Sequence, residues 1–329
     1  VAFLPLGEDN RADRLPMVND SAGRVHVAAL QWLDGRPGDE RVFLYLHTLN
    51  PHNPYTPPEP WPSRFVGIGG SRVDGRTRTL ASIRNLEYEV LPADEERIRE
   101  WYAANVAYND AELCRFVDEL QRRYAGEVLL VVTSDHGEEL FDHGGVLHGY
   151  TLYDELLRVP LVMWWPERIS PTRITEPTGT LDLHSSLAAL AGTTPPVDPE
   201  GGKELWGLIL GGAGDQWSGR LHFAAAPGLR YAAMVRSGRW KLILVRHPWL
   251  DWGMGRGPGR THEAEYVFDL GDDPEERSNR AGASSLEVDW LRFRLRTWQE
   301  RWQTSQPVIE EPELDAATRR QLEALGYVD

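Results

Sequence analysis

Residues 127–149 read EVLLVVTSDHGEELFDHGGVLHG, and the fold turns on the change of character part-way along them. Glu127 to Thr133 is a run of valine and leucine that follows Gly126, which is how a buried strand of the parallel type reads. Its C-terminal end opens into the polar loop SDHGEELFDHGG. Arg41 to His47, RVFLYLH, has the same form and runs into NPHNPYTPPEPWP. Proline cannot donate to a sheet ladder, so the chain leaves the sheet there and the strand end delivers His47 and His52 to a loop.

Helical patterns precede both runs. After Asp20 and Ser21, AGRVHVAALQWL sets Val25, Ala28, Ala29 and Leu33 on one side of a helix, with a good N-cap pair in front. From Ala93 to about Tyr124 the residues Ile98, Trp101, Val106, Leu113, Phe116, Val117 and Leu120 form an apolar stripe, ended by Gly126. Helix then strand, twice over, with a polar loop after each strand, predicts an α/β fold built on a doubly wound sheet with helices on both faces. Such sheets bind ligands beyond the strand C-termini, where both histidine-bearing loops lie.

Downstream, Leu156 to Trp165 contains a further apolar strand, LVMWW, and LDLHSSLAALAG reads as a helix ended by Gly192. After a glycine-rich linker near Gly207 to Gly214 the texture changes. YAAMVRSGRWKLILV reads as a hairpin about a Ser-Gly turn and YVFDLGDDPEE as another strand. The tail from Leu286, including LRFRLRTWQERW and ATRRQLEALGY, reads as helical. The expected division is residues 1–214 for the main α/β part and 215–329 for a smaller antiparallel α+β subdomain.

Composition narrows the partners. The chain of 329 residues carries 50 acidic and 35 basic side chains, a formal charge of -15, which repels phosphate backbones and anionic lipid heads. No nucleic acid and no membrane surface is expected as a partner, and no apolar run of about 18 residues exists to form a transmembrane segment. An anionic ester is still an acceptable substrate if a bound cation and a few His, Lys or Arg supply local positive charge. The single cysteine, Cys114, rules out an intrachain disulfide and, within the helical LCRFV, is expected as a small buried hydrophobe. The first residues, VAFLPLGEDNRADR, have neither a basic n-region nor an initiator Met, so localisation is left open.

The chemistry concentrates in TSDHGEELFDHGGVLHG. Asp135 offers carboxylate oxygens and His136 a neutral nitrogen, a pair able to hold a hard cation that would polarise an ester oxygen. Capping of the next helix is the plainer reading of an isolated Asp-His pair. His47 reads first as a core histidine and second as a substrate contact. His143 either meets the substrate or bonds a carbonyl.

Taken together, FLYLHTLNPHNPY, YAANVAYNDAELCRFVDEL, VVTSDHGEELFDHGGVLHGYTLYDELLRVPL, VRSGRWKLI and YVFDLGDDPEERSNRA resemble, in order, successive blocks of a bacterial type I sulfatase of the alkaline phosphatase superfamily. The resemblance covers most of Arg24 to Asp329. It implies a sulfuric ester hydrolase with one divalent cation, usually Ca2+ though Mg2+ or Mn2+ would serve, and a sulfate or phosphate ester as partner, such as a sulfated sugar or aryl sulfate. It makes 1–214 a partial catalytic domain and 215–329 the C-terminal subdomain. By matching position, Asp135 and His136 become metal ligands and His52 binds the anionic group. His148, thirteen residues beyond Asp135, assists the leaving oxygen, and His47 and His143 are substrate-binding candidates. A protonated imidazole at His148 can hold an anion and protonate a departing alkoxide. Lys241 and Arg158 match recurrent family positions and are read as structural.

The departures matter as much. The family's nucleophile is a formylglycine made from a Cys/Ser-x-Pro-x-Arg motif, and this chain has none. Ser170-Pro171-Thr172-Arg173 is in the wrong register. Formylglycine and two further metal carboxylates are therefore expected upstream, as is any export signal, and the chain alone is expected to hydrolyse nothing. The alternatives are a phosphodiesterase or phosphonate monoester hydrolase of the same superfamily, or a non-catalytic binding module.

Overall fold

The computed structural model describes residues 18–37, 40–194, 201–212, 217–226, 231–247, 262–282 and 285–305. The expected helix in ATRRQLEALGY and the stretch VAFLPLGEDNRADR lie outside them. The chain forms two compact units, one of Val1–Val128, Glu138–Leu147 and Ile309–Asp329, the other of Leu129–Gly137 and His148–Val308.

The first unit is mainly helical: α1 (Ser21–Asp34), α2 (Trp61–Phe65), α3 (Thr77–Arg84) and α4 (Pro92–Tyr124). The length of α4 follows from its ends. Pro92 occupies the first turn, where its missing N–H costs nothing, and Asp94 accepts the Leu91 amide at 3.0 Å. Arg122 and Arg123 face the negative end of the helix dipole. Ala125, with φ +45°, is the left-handed cap just ahead of Gly126. One end of α4 packs with α1 through Ala29, Leu33, Phe116 and Leu120, and His26 stacks on Phe116 at 4.7 Å. Its other part joins Ile98 and Trp101 to Tyr55, Val73, Leu80 and Ile83. Between these clusters the buried residues are Ala104, Asn105 and Tyr108, whereas Val106, expected in the stripe, is exposed. Cys114 is exposed as well, because it lies off the face that packs on α1.

Arg41 to His47 is extended but belongs to no ladder among the described residues, so the expected buried strand is corrected. Leu44 and Leu46 pack against the α1/α4 cluster, while Phe43 and Tyr45 are 78% and 76% exposed. Successive side chains of an extended segment point to opposite sides, and only one side here is covered. His47 falls on the open side and is exposed rather than a core histidine. A small antiparallel hairpin of β2 (Glu139–Leu140) and β3 (Val146–Leu147) completes this unit. Its turn is held by Glu139, which accepts the Gly145 amide at 2.8 Å.

In the second unit β1 (Leu130–Thr133) pairs antiparallel with β4 (Leu161–Trp164), with Leu130 opposite Trp164. Every strand pair among the described residues is antiparallel. The expected parallel-type strand thus appears here half-buried, with one sheet neighbour instead of two. One helical turn, α5 (Asp154–Leu157), lies between β1 and β4, and α6 (Thr180–Leu190) and α7 (Trp206–Ile209) follow. Then comes a four-stranded meander of β5 (Leu221–Ala226), β6 (Tyr231–Ser237), β7 (Trp240–His247) and β8 (His262–Asp269), in that order. Ser237 opposes Trp240, which puts the turn at Gly238-Arg239, one residue later than expected; Gly238 supplies φ +54°.

The alternation along β6 to β8 gives this sheet two apolar faces. Ala233, Val235, Leu242, Leu244 and Val267 are covered by Val288, Leu291 and Leu295 of α8 (Leu286–Ser305). Ala232, Met234, Ile243 and Phe268 face Leu152, with Tyr153 and Leu157 packed alongside. That second contact seats the segment between His148 and α5.

Candidate functional site

In the first unit the loop after the extended segment is built on three carboxamides. Asn50 donates to the Asn19 carbonyl at 3.0 Å and to Asn105 Oδ1 at 2.6 Å, and accepts the Ala22 amide at 2.9 Å. Asn105 donates to the Pro51 carbonyl at 2.9 Å and the His52 carbonyl at 3.3 Å, and Asn19 reaches His52 and Pro54. All three are buried. A proline-rich loop cannot use a ladder to satisfy its carbonyls, so buried side-chain amides do it instead. His52 Nδ1 lies 2.7 Å from the Asn53 carbonyl, which fixes the ring.

Tyr55 anchors the far end of the loop. It is fully buried, edge-on to Tyr102 at 5.3 Å, and its amide donates to the Gly75 carbonyl at 2.8 Å. Burial first, and the Glu138 carboxylate second, hold its phenol well above the ordinary tyrosine pKa. Burial and the same carboxylate push Tyr102 up to about 12. Both phenols therefore stay neutral at any working pH. His143 lies half-buried beyond the β2 strand and before β3 in this unit.

The second unit holds Asp135, His136 and His148. His136 Nδ1 is 2.7 Å from the Gly137 carbonyl, the same arrangement as at His52, and its Nε2 is 3.8 Å from Asp135 Oδ1. The Asp135 carboxylate, half exposed, accepts the His136 amide at 3.0 Å. The His148 ring lies 4.0 Å from that of His136, inclined by 31°. Leu147, buried and at φ +71°, turns the chain just before His148; a left-handed leucine is strained, as backbone next to functional residues often is. Asp135, His136 and His148 are thus brought together, while His47, His52 and His143 belong to the other unit.

Among the described residues no group of three His, Cys, Asp or Glu side chains could hold a metal ion. Asp135 and His136 are two donors of a kind that cations take, and alone they would not complete a calcium site, which needs about six to eight oxygens.

A sulfatase family model matches residues 9–193, more than half of the chain. The chain belongs to the sulfatase family. Similar relatives include arylsulfatase A of Bos taurus, 30% identical over 169 residues that make up 47% of this chain and 33% of the relative. N-acetylgalactosamine-6-O-sulfatase of Bacteroides thetaiotaomicron is 24% identical over 262 residues, 74% of this chain and 44% of the relative. The sulfatase chain therefore spans a third to under half of these relatives' lengths. Among solved structures it resembles BT4656 in complex with its substrate D-glucosamine-2-N,6-O-disulfate (TM-score 0.64, 15% identity, 88% of this chain and 72% of that one). It also resembles the phosphonate monoester hydrolase of Agrobacterium radiobacter (TM-score 0.62, 19% identity, 86% and 62%). At these identities the likeness shows the fold, the alkaline-phosphatase-like architecture that the family resemblance implied.

Sequence reasoning missed the carboxamides of Asn19 and Asn105 and the carboxylates of Glu138 and Asp154. Their signal was faint. A buried Asn in a long helix differs from a solvated one only by where the helix face points, which the apolar stripe near Val106 indicated wrongly.

Proposed function

We propose that the chain contributes to a sulfuric ester hydrolase site, with His52 and His148 as its catalytic groups and Asp135 and His136 as two ligands of a divalent cation, calcium by preference. The observation that carries this reading is the compact trio of Asp135, His136 and His148, with the two rings 4.0 Å apart. A carboxylate oxygen and an imidazole nitrogen are a suitable edge for a cation, whose charge would offset that of the ester. The remaining ligands and the formylglycine nucleophile are assigned to residues beyond those described.

The chain's own groups divide the work by charge. His52, its ring fixed through Nδ1, presents Nε2 to a sulfate oxygen. As the nucleophile, supplied from outside this chain, bonds to sulfur, the S–O bond to the sugar or aryl oxygen would break, and that oxygen would leave with the bonding electron pair and take a proton from His148. His47 and His143 are proposed as substrate contacts. A sulfated sugar is the favoured substrate class, supported by the sulfatase relatives and by the disulfated glucosamine bound to BT4656.

The test is to assay the protein carrying this chain with 4-nitrophenyl sulfate, a sulfated hexosamine and a phosphonate monoester, with and without calcium. Sulfate ester turnover that falls at least about tenfold in Asp135→Ala and in His148→Ala, each still folded, is the expected result. A phosphonate monoester preferred over both sulfates would favour the second reading, which the likeness to the Agrobacterium enzyme supports. Turnover unaffected by either substitution would overturn the site assignment.

A further inference from the structure

The trio of Asp135, His136 and His148 rests on a single helical turn, and that turn is held by buried charge from the C-terminal sheet. The Gly137 amide, next to His136, donates to the Leu156 carbonyl of α5 at 2.7 Å. There is no slack in this contact, because a Cβ on Gly137 would fall 1.9 Å from the Glu155 carbonyl oxygen. Downstream of His148, Leu152 and Tyr153 pack on the sheet and lead into Asp154, the first residue of α5. Both chain segments that carry the trio therefore converge on α5.

The other side of α5 is ionic. Lys241 of β7 is fully buried, and its Nζ lies 2.7 Å from Asp154 Oδ1 and 2.7 Å from Glu276 Oε1. Arg236 of β6 approaches Asp154 Oδ2 at 3.5 Å. Glu276 accepts the Asp154 amide at 2.6 Å, which caps the helical turn. Glu276 is itself buried and held at φ +54°, a left-handed conformation that a glutamate keeps only when its surroundings impose it. Removing one member of such a cluster leaves the others charged and buried without their partner. A hydrophobic contact would hold α5 in place over a range of registers, whereas point charges at 2.7 Å fix it.

We propose that Lys241, with Glu276, is a positioning residue for the Asp135–His136–His148 trio, acting through Asp154 and the helical turn α5. The functional importance of the trio rests on the reading above. The geometric role does not depend on turnover.

The test uses the full 329-residue chain, labelled in histidine side chains and backbone amides, in the variants Lys241→Met, Lys241→Arg and Glu276→Gln. Lys241→Met keeps the stem and removes the charge. Glu276→Gln keeps volume and the acceptor for the Asp154 amide, and serves where Lys241→Met does not fold. Expected in the wild type are ring-to-ring cross-peaks between His136 and His148 and a protected Gly137 amide. In Lys241→Met and Glu276→Gln those cross-peaks should be lost or weakened, and Gly137 should exchange at least about tenfold faster while amides in the middle of β6 and β7 keep their protection. Lys241→Arg should restore most of both signals. A variant that merely loosened the fold would raise exchange throughout the sheet. Folded variants with wild-type cross-peaks and wild-type Gly137 exchange would overturn the proposal, as would a rise in exchange that is uniform. Ring signals that behave as expected in this chain, with no sulfate ester turned over by the longer protein that carries it, would sink the functional reading alone.

Discussion

Replacing Asn105 by leucine keeps the branching and the number of heavy atoms of the side chain and removes every hydrogen bond that side chain makes, which probes the contribution of the carboxamide network to the His52 loop. Three bonds vanish: Asn50 Nδ2 to Asn105 Oδ1 at 2.6 Å, and Asn105 Nδ2 to the carbonyls of Pro51 at 2.9 Å and His52 at 3.3 Å. The His52 carbonyl keeps Asn19 as a donor at 3.1 Å, and Asn50 Nδ2 keeps the Asn19 carbonyl at 3.0 Å. The uncompensated losses are therefore the Pro51 carbonyl and one N–H of Asn50. Each orphaned buried group costs roughly 1–3 kcal/mol, about 2–6 kcal/mol together. Burying a leucine in place of an amide returns about 2 kcal/mol. The net expectation is a loss of about 0–4 kcal/mol, centred near 2 kcal/mol. Denaturant unfolding followed by tryptophan fluorescence measures it, and amide exchange at His52, whose N–H donates to the Leu49 carbonyl at 2.6 Å, reports the loop locally. Asn105→Asp should be worse, since a carboxylate would face two carbonyl oxygens with no proton to give them. A loss below about 0.5 kcal/mol in Asn105→Leu, with unchanged His52 exchange, would show that the network does not hold the loop.

Two further perturbations probe the second unit. His222 has its pKa lowered from 6.5 to about 4, by burial first and by Arg220 next. The unfolded chain therefore binds a proton between those pH values that the folded one does not, so stability should fall as the pH drops from about 6.5 toward 4. The gap corresponds to about 3 kcal/mol, and about 2 kcal/mol after allowing for screening at a ring that is not fully buried. Midpoints of urea unfolding from pH 7 to 4.5 should slope less steeply for His222→Gln than for the wild type; parallel curves would refute the assignment. Gly137→Ala should displace the His136 segment from α5, since the added methyl would meet the Glu155 carbonyl. The expected cost is about 3 kcal/mol, with loss of the His136–His148 ring cross-peaks; an alanine variant with intact cross-peaks and stability would mean that α5 is not the seat of the trio.

What the residues declared by themselves was local chemistry and short-range order. The helices around Val25 to Leu33 and from Ala93 to Tyr124 were legible because an apolar period of 3.6 survives any packing partner, and α1 and α4 formed where that period put them. The cation role proposed for Asp135 and His136 came from the family resemblance, since an Asp-His pair taken alone reads first as a helix cap. Sheet partnership was not legible. RVFLYLH and EVLLVVT read alike, yet among the described residues Phe43 and Tyr45 stand exposed with no ladder and Leu130–Thr133 has a single antiparallel neighbour. Apolarity records that a segment can be buried, while burial itself depends on which other segments arrive beside it. The same holds for the groups that support the loops. Asn105 and Asn50 are 55 positions apart, and Lys241 and Asp154 are 87 apart. A buried polar side chain is stable only with its partner, and the partner's place is a property of the folded chain. No periodicity along the sequence encodes it.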